Sequence, residues 1–243
     1  MSPVRVGRAV AVVIAAALLL ASSCSFHTGT PVPEGVPPPT GDPVPQIDTN
    51  AKGRPADQLH AWAAERAPAL GIPVTSLEAY AYAARVAEVV NPKCKLAWPT
   101  LAGIGMVESH HGTYRGAVVL PNGDVTPPIR GVRLDGSMGN MEIPDTDGGL
   151  LDGDPELDRA MGPMQFIPAT WKLYGVDANN DGKISPDNID DAALSAAGYL
   201  CWTGKDLSTP EGWMRALRAY NLSDQYARTV RDWATAYADG HPL

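Results

Sequence analysis

The chain contains 243 residues, and its 24 glycines and 23 prolines concentrate in residues 29–55 and 121–163. The remaining sequence, rich in Ala, Leu, Val and Trp, is long enough for one globular domain with a packed core. With 19 basic and 27 acidic residues the formal charge is −8, and no run of Lys or Arg could neutralise several phosphates together. We therefore expect no nucleic-acid partner.

The N-terminus has the pattern of an export signal. Arg5 and Arg8 precede an apolar run from Ala9 to Ala21. This run is short for a membrane-spanning helix, which needs about 20 apolar residues. We predict that residues 1–23 form a signal peptide that is removed.

The next segment carries the first of three cysteines. Residues 21–24, Ala-Ser-Ser-Cys, resemble the lipobox of bacterial lipoproteins, in which the cysteine is acylated and becomes the new N-terminus. If Cys24 is lipidated, Cys94 and Cys201 remain to form a disulfide outside the reducing cytosol. The alternative is ordinary signal cleavage, which leaves Cys24 as a free thiol.

Residues 24–55 are rich in proline and poor in large apolar side chains. This composition predicts an extended, semi-stiff tether, with plain disorder as the alternative. Both interpretations place a folded domain, residues 56–243, away from an anchor.

Helical patterns dominate that domain. Residues 75–78, Thr-Ser-Leu-Glu, form a capping box that predicts the start of an Ala-rich helix, and Asn91-Pro92 ends it. A second helix is predicted from Trp98 to about Ser109. Residues 118–125 then predict a small hairpin that turns at Asn-Gly, and residues 132–135 predict a further strand.

Helical patterns return in the C-terminal third. Helices are predicted after Ile189, after a second capping box at Ser208 and Glu211, and after Ser223. On the last helix four apolar or aromatic residues share one face, namely Tyr226, Val230, Trp233 and Tyr237. The fold class is therefore mainly α.

The helix at 98–109 carries one carboxyl, that of Glu108, after seven residues without a polar side chain. The negative end of the helix dipole and an apolar surrounding both disfavour the anion, so we expect a raised pKa. A carboxyl that stays protonated near neutral pH can act as a general acid. The alternative is a solvated helix end. Gly103 and Gly105 indicate a close backbone approach in this helix.

Three sequence blocks follow one another in the domain. They are Glu-Ser-His-His-Gly at 108–112, a block at 159–171 that contains Gly-Pro-Met-Gln-Phe, and Ala-Tyr-Asn at 219–221. In order and spacing they resemble the blocks of lytic transglycosylases of the B type, over roughly residues 79–233. The resemblance implies a goose-lysozyme-like, α-rich (α+β) domain. It also implies cleavage of the β-1,4 bond between N-acetylmuramic acid and N-acetylglucosamine in peptidoglycan.

The resemblance further implies that Glu108 is the single acid and base. It implies substrate-binding roles for Ser109, Gln165, Tyr199, Tyr220, Asn221 and Tyr226. The alternative for each tyrosine is a core position with one satisfied hydroxyl, and for Asn221 a helix end. No second carboxylate is assigned, because the aspartates between these blocks lie in turn sequence.

As the resemblance implies, a lytic transglycosylase needs no second carboxylate. Glu108 protonates the leaving oxygen and then accepts the proton of the C6 hydroxyl of the same sugar, which closes a 1,6-anhydro ring. Intramolecular attack has an advantage worth up to about 7–11 kcal/mol. The alternatives are a muramidase that uses water and a peptidoglycan-binding scaffold whose catalysis has decayed. The intact Glu108-Ser109 pair argues against decay.

Residues 177–185 match the start of an EF-hand loop, with oxygen side chains at positions 1, 3 and 5 and Gly182 at position 6. Position 12, however, is Asn188. The B-type resemblance implies a longer loop closed by a later aspartate. The ligands would be Asp177, Asn179, Asp181, the carbonyl group of Lys183, and Asp191. We expect structural calcium and no organic cofactor, with a polar turn as the alternative.

His60, His110 and His111 lack the helical spacing of a zinc pair, so we expect them at the surface or in the cleft. Peptidoglycan strands are the expected partners of a monomer in the cell envelope. Contact with the membrane is expected only through a lipid anchor at the outer face of the cytoplasmic membrane. Residues 118–158 are expected to decide which glycans are accepted.

Overall fold

The computed structural model describes residues 35–243, so the predicted signal peptide and Cys24 lie outside the described residues. The helices of this part are α1 (His60–Leu70), α2 (Val74–Val90), α3 (Trp98–Ser109), α4 (Pro168–Tyr174), α5 (Ile189–Gly204), α6 (Pro210–Tyr220) and α7 (Asp224–Ala238). The strands are β1 (Val118–Val119), β2 (Val125–Thr126), β3 (Arg130–Arg133) and β4 (Arg159–Met161), and three short 3-10 helices complete the elements. The predicted fold class, mainly α with a small β region, is confirmed.

The centre of the fold is formed by α2 and α3. Helix α2 packs against α1 and α5, and α3 packs against α7, α2 and α5. All residues of α3 from Trp98 to Gly105 are buried, because this helix has neighbours on every side. At Gly103 a Cβ atom would lie 2.6 Å from the carbonyl oxygen of Val230 on α7. The close backbone approach predicted for this helix is therefore observed.

Two small antiparallel sheets follow α3. Strands β1 and β2 form the predicted hairpin, with Val119 opposite Val125. Strand β3 begins two residues before the predicted strand and pairs with β4 in an irregular register, with Arg130 opposite Met161. Since β4 leads directly into the Gly-Pro-Met-Gln turn at 162–165, this second sheet anchors the turn.

Neither predicted capping box forms. Helix α2 begins at Val74 without a side-chain cap, because the Glu78 carboxylate binds Arg54 and His60 instead. Helix α6 is capped by Thr209, whose Oγ1 accepts a hydrogen bond from a backbone N–H at 3.1 Å, rather than by Ser208. Contacts between distant residues override the local preference in the first case.

The second half of the predicted tether packs on the domain. Residues 36–54 contain no helix or strand. Trp98 Nε1 donates to the carbonyl group of Asp42 at 3.0 Å, and the Tyr82 hydroxyl donates to that of Thr49 at 3.2 Å. Residues on both sides of the predicted boundary at residue 55 therefore pack together.

A disulfide joins Cys94 to Cys201, whose Cα atoms lie 5.2 Å apart. It links the loop before α3 to the C-terminal half of α5, and the predicted pairing is confirmed. No helix within residues 35–243 combines the length and the apolar character needed to cross a membrane.

Candidate active site

Glu108 lies in the last turn of α3, and its residue is 2% exposed. Burial raises the pKa of Glu108 to about 8, and a hydrogen bond from Tyr226 opposes part of that rise. The helix ends one residue later, because His110 adopts the left-handed conformation with φ 50°. Because its pKa is about 8, the carboxyl holds its proton at neutral pH, as the sequence predicts.

Tyr226 contacts this carboxyl directly. Its hydroxyl donates to Glu108 Oε1 at 2.6 Å. Ser223 caps α7 by accepting a hydrogen bond from the Tyr226 N–H at 3.3 Å, which fixes the position of Tyr226 at the helix start. The ring of Tyr220 lies parallel to that of Tyr226, with an interplanar angle of 7°. Burial and the nearby Glu108 raise the pKa of Tyr226 well above its ordinary value, so the hydroxyl remains a donor.

The turn at 162–165 is held by three of the predicted site residues, whose side chains donate to three successive carbonyl groups. The bonds run from Gln165 Nε2 to Gly162 (2.8 Å), from Ser109 Oγ to Pro163 (2.6 Å) and from the Tyr220 hydroxyl to Met164 (2.7 Å). Gln165 itself has a positive φ of 49°. The structure thus brings Ser109, Gln165 and Tyr220 together at this turn, and Ser109 and Tyr220 link it to Glu108, as sequence neighbour and as a nearby side chain.

Tyr199 and Asn221 support the same region through backbone contacts. The Tyr199 hydroxyl donates to the carbonyl group of Ala219 at 2.8 Å, and its ring centroid lies 6.0 Å from that of Tyr220. Asn221 follows the end of α6, and its Oδ1 accepts from the N–H of Ser223 at 2.9 Å. Both residues fix the connection between α6 and α7, and their binding of substrate stays a prediction.

The aspartates before β4 serve as turn acceptors. Asp145 accepts hydrogen bonds from three backbone N–H groups of its own loop. Hydrogen bonds from Arg133, backbone N–H groups and Arg159 keep the pKa of Asp154 well below its usual range. Burial, opposed in part by the hydrogen bond from Tyr226, accounts for the raised pKa of Glu108. The assignment of Glu108 as the single acid and base stays a prediction.

Residues 158–214 match the family model described as "Transglycosylase SLT domain". This segment is similar to a transglycosylase SLT domain. The match confirms the resemblance to lytic transglycosylases, while the B type and the lipoprotein form stay predictions. The matched segment contains Gln165 and Tyr199, whereas Glu108 and Tyr226 lie outside it.

Among solved structures, the chain is similar to "Crystal Structure of SltB3 from Pseudomonas aeruginosa in complex with NAG-anhNAM-pentapeptide". The two chains are 18% identical with a TM-score of 0.41, and the match covers 81% of this chain and 72% of that chain. No curated protein matches the chain.

The predicted calcium loop of the SLT domain offers only oxygen ligands, which suit a hard cation. Its side chains accept hydrogen bonds from loop N–H groups: Asp177 from Gly182 at 2.9 Å, Asn179 from Asp181 at 3.2 Å, and Asp191 from Ala178 at 2.7 Å. Burial, with a smaller contribution from the Asp177 charge, raises the pKa of Asp191 to about 7. Among the described residues no group of three or more Asp, Glu, His or Cys side chains is placed to hold a metal ion. Calcium binding therefore stays a prediction.

One residue that follows helix α3 differs from expectation. His111 was predicted at the surface or in the cleft, and this is wrong, since it is 2% exposed. Its ring lies between those of Tyr80 on α2 and Tyr237 on α7. Burial lowers the pKa of His111 to about 3, so the ring is neutral. The sequence feature that indicated this burial is the face of α7 that Tyr237 shares with Tyr226, because a buried tyrosine hydroxyl needs a hydrogen-bond partner.

Proposed function

We propose that this SLT-domain protein is a peptidoglycan lytic transglycosylase that leaves 1,6-anhydromuramyl ends. The observation that carries the proposal is the buried carboxyl of Glu108, whose pKa of about 8 keeps it protonated at neutral pH and which accepts a hydrogen bond from Tyr226. A glycosidase of the two-carboxylate plan needs a second carboxyl as nucleophile or as base for water. The side chains next to the Glu108 carboxyl are instead those of Tyr226 and Tyr220.

In the first step Glu108 acts as the general acid. Tyr226 occupies Oε1, so we assign Oε2 to the substrate, where it gives its proton to the glycosidic oxygen as the bond to C1 of the muramyl sugar breaks. The N-acetyl group of that sugar assists the departure. The Tyr226 hydroxyl stabilises the carboxylate that forms, because a hydrogen bond to the charged form favours it.

In the second step the carboxylate acts as the base. It takes the proton of the C6 hydroxyl, and the C6 oxygen bonds to C1 of the same sugar. Glu108 regains its proton, so the cycle consumes neither water nor a second acid. Intramolecular attack has a large effective molarity, which allows the C6 oxygen to outcompete water.

The pKa of Glu108 predicts the pH dependence of this reaction. Because the reaction starts from the protonated carboxyl and the pKa is about 8, kcat/KM should stay level below about pH 7 and fall about tenfold per unit above about pH 8. Initial rates of soluble muropeptide release from purified peptidoglycan provide the measurement. Melting curves over the same pH range control for unfolding, and a decline centred near the ordinary glutamate pKa would contradict the assignment.

We also propose that the protein acts in the cell envelope on peptidoglycan strands, anchored by a lipid on Cys24. The support is the lipobox-like sequence before Cys24 and the use of Cys94 and Cys201 in one bridge. With both other cysteines paired, Cys24 has no internal partner. The monomeric state stays a prediction.

We further propose that the loop from Asp177 to Asp191 binds calcium in a structural role, with Asn179, Asp181 and the Lys183 carbonyl group as further ligands. Calcium that binds only the folded state stabilises it by about 2.7 kcal/mol at a hundredfold excess over Kd. For a domain of this size we expect a rise in Tm of roughly 5–10 °C.

Melting curves in chelator and in millimolar calcium test this proposal. Asp177→Ala should abolish the rise. Asp147→Ala is the matched control, because Asp147 also accepts loop N–H groups, at 3.0 Å from Leu150 and Leu151, and lies outside the proposed site. Identical wild-type curves with and without calcium would refute the assignment.

A further inference from the structure

The turn that follows Glu108 and Ser109 has an unusual backbone. Three successive residues adopt positive φ, with 50° at His110, 61° at His111 and 85° at Gly112. L-residues disfavour this region, and such conformations persist only where the surroundings impose them. The contacts that stabilise this turn should therefore indicate its role.

Buried contacts fix the turn from two directions. The Ser76 hydroxyl of α2 donates to the His111 carbonyl group at 2.9 Å. His111 Nδ1 lies 3.3 Å from the Tyr80 hydroxyl on α2, and Nε2 lies 2.8 Å from the Tyr237 hydroxyl on α7. Since the ring is neutral, one nitrogen donates and the other accepts.

The bond to Tyr237 matters because of where it lies. Tyr237 and Tyr226 are eleven positions apart on α7, about three helical turns. At the end of α3, Glu108 and His111 are three positions apart. The C-terminal end of α3 and the turn after it are therefore joined to α7 by two hydrogen bonds. Tyr226, near the start of α7, bonds Glu108 at 2.6 Å, and Tyr237, near its end, bonds His111 at 2.8 Å. Helices α3 and α7 already pack closely, with Gly103 against the backbone of Val230. The two bonds add fixed side-chain contacts at Tyr226 and Tyr237, on either side of Val230 in α7.

We propose that His111 is a positioning residue that acts through Tyr237. It sets the register of the end of α3 on α7, so that the Tyr226 hydroxyl stays on Glu108. The kinetic part of this inference rests on the proposed lytic transglycosylase activity, and the structural part is independent of it.

Two conservative variants separate the two ring nitrogens. In His111→Asn the amide reaches the position of Nδ1, which keeps the contact to Tyr80 and loses that to Tyr237. In His111→Gln the amide reaches the position of Nε2, which keeps the contact to Tyr237 and loses that to Tyr80. Each variant loses one buried bond, so the two should lower Tm by similar amounts.

Their activities should differ. Because a misplacement of about 1 Å can reduce turnover about a hundredfold, His111→Asn should lower kcat by at least about tenfold with KM within about twofold. His111→Gln should keep kcat within about threefold. A purely structural role predicts equal losses in both variants, and that result would overturn the proposal.

The pKa of Glu108 gives a readout that does not depend on glycan turnover. The titratable groups that act on Glu108 and on its partner Tyr226 are Tyr226 of α7 and Tyr220 of α6. Those that face His111 are Tyr80, Tyr237 and His110. Loss of the Tyr226 bond raises the pKa of Glu108, because that bond favours the anion. Entry of water through a loosened core lowers it, because solvation also favours the anion.

Carbon-13 NMR titration of labelled glutamate carboxyls, with Glu108→Gln to assign the signal, measures this shift. We expect the pKa to rise in His111→Asn and in Tyr237→Phe, which removes the same bond from the other side, and to stay unchanged in His111→Gln. A fall in the first two variants would overturn the proposal. If the wild type releases no muropeptides, the proposed function fails and the titration still decides the positioning role.

Discussion

Glu108→Gln should abolish glycan turnover while keeping the fold. General acid–base catalysis contributes about 10²–10⁴-fold, and Glu108 supplies both halves of it, so we expect kcat to fall by about 10³-fold or more. The glutamine amide has the size of the carboxyl, and its oxygen can accept the hydrogen bond that Tyr226 gives to Glu108. Release of muropeptides from purified peptidoglycan measures the loss.

At alkaline pH the same variant should be more stable than the wild type. The folded-state pKa of Glu108, about 8, lies above the ordinary glutamate value of 4.5. The stability that the bound proton provides is therefore complete below about pH 4.5 and is lost as pH rises toward 8. Relative to the variant, the wild type should lose on the order of 4 kcal/mol over this range. Denaturant unfolding at pH 5 and pH 8 measures the difference.

Glu65→Gln is the matched control, because the Glu65 side chain is 76% exposed and lies outside the site. It should change neither turnover nor the pH dependence of stability. Digestion by Glu108→Gln at the wild-type rate would rule out Glu108 as the catalyst.

Removal of the disulfide should have the largest effect on stability. The bridge closes a loop of 107 positions, and in the chain-entropy model such a loop stabilises by roughly 4–5 kcal/mol. Cys94→Ala with Cys201→Ala should therefore lower Tm by roughly 10–15 °C. Turnover well below that temperature should persist, because the bridge does not touch Glu108 or Tyr226. Thermal unfolding of both proteins measures the change.

Cys24→Ser is the control for the loss of a cysteine as such and should leave Tm unchanged. Labelling of Cys94 and Cys201 by a thiol reagent in the native, secreted protein would contradict the bridge.

The sequence predicts those parts of the site that depend on neighbouring residues. Helix α3 has the predicted bounds, Trp98 and Ser109, because a continuous apolar run needs burial on all sides and can form only one element. The hairpin of Val119 and Val125 follows from its Asn-Gly turn. The raised pKa of Glu108 follows from the same apolar run, since it places the carboxyl in the core.

The remaining features depend on contacts between distant residues. The capping box before α2 fails because Glu78 pairs with Arg54 from a segment predicted to be a tether. His111 is buried because Tyr237, 126 positions away, provides a hydroxyl for its ring. The sequence identifies the polar side chains, but the folded structure is needed to identify which of them are in contact.

The central claim is that the C6 hydroxyl of the muramyl sugar, and not water, attacks the anomeric carbon. Digestion of purified glycan strands in heavy-oxygen water, followed by mass spectrometry of the new muramyl ends, tests it most directly. We predict unlabelled 1,6-anhydromuramyl ends as the dominant product, because Glu108 passes its proton between two oxygens of the substrate and no second carboxyl activates water. Reducing muramyl ends that carry the heavy oxygen would contradict the claim and would identify a muramidase.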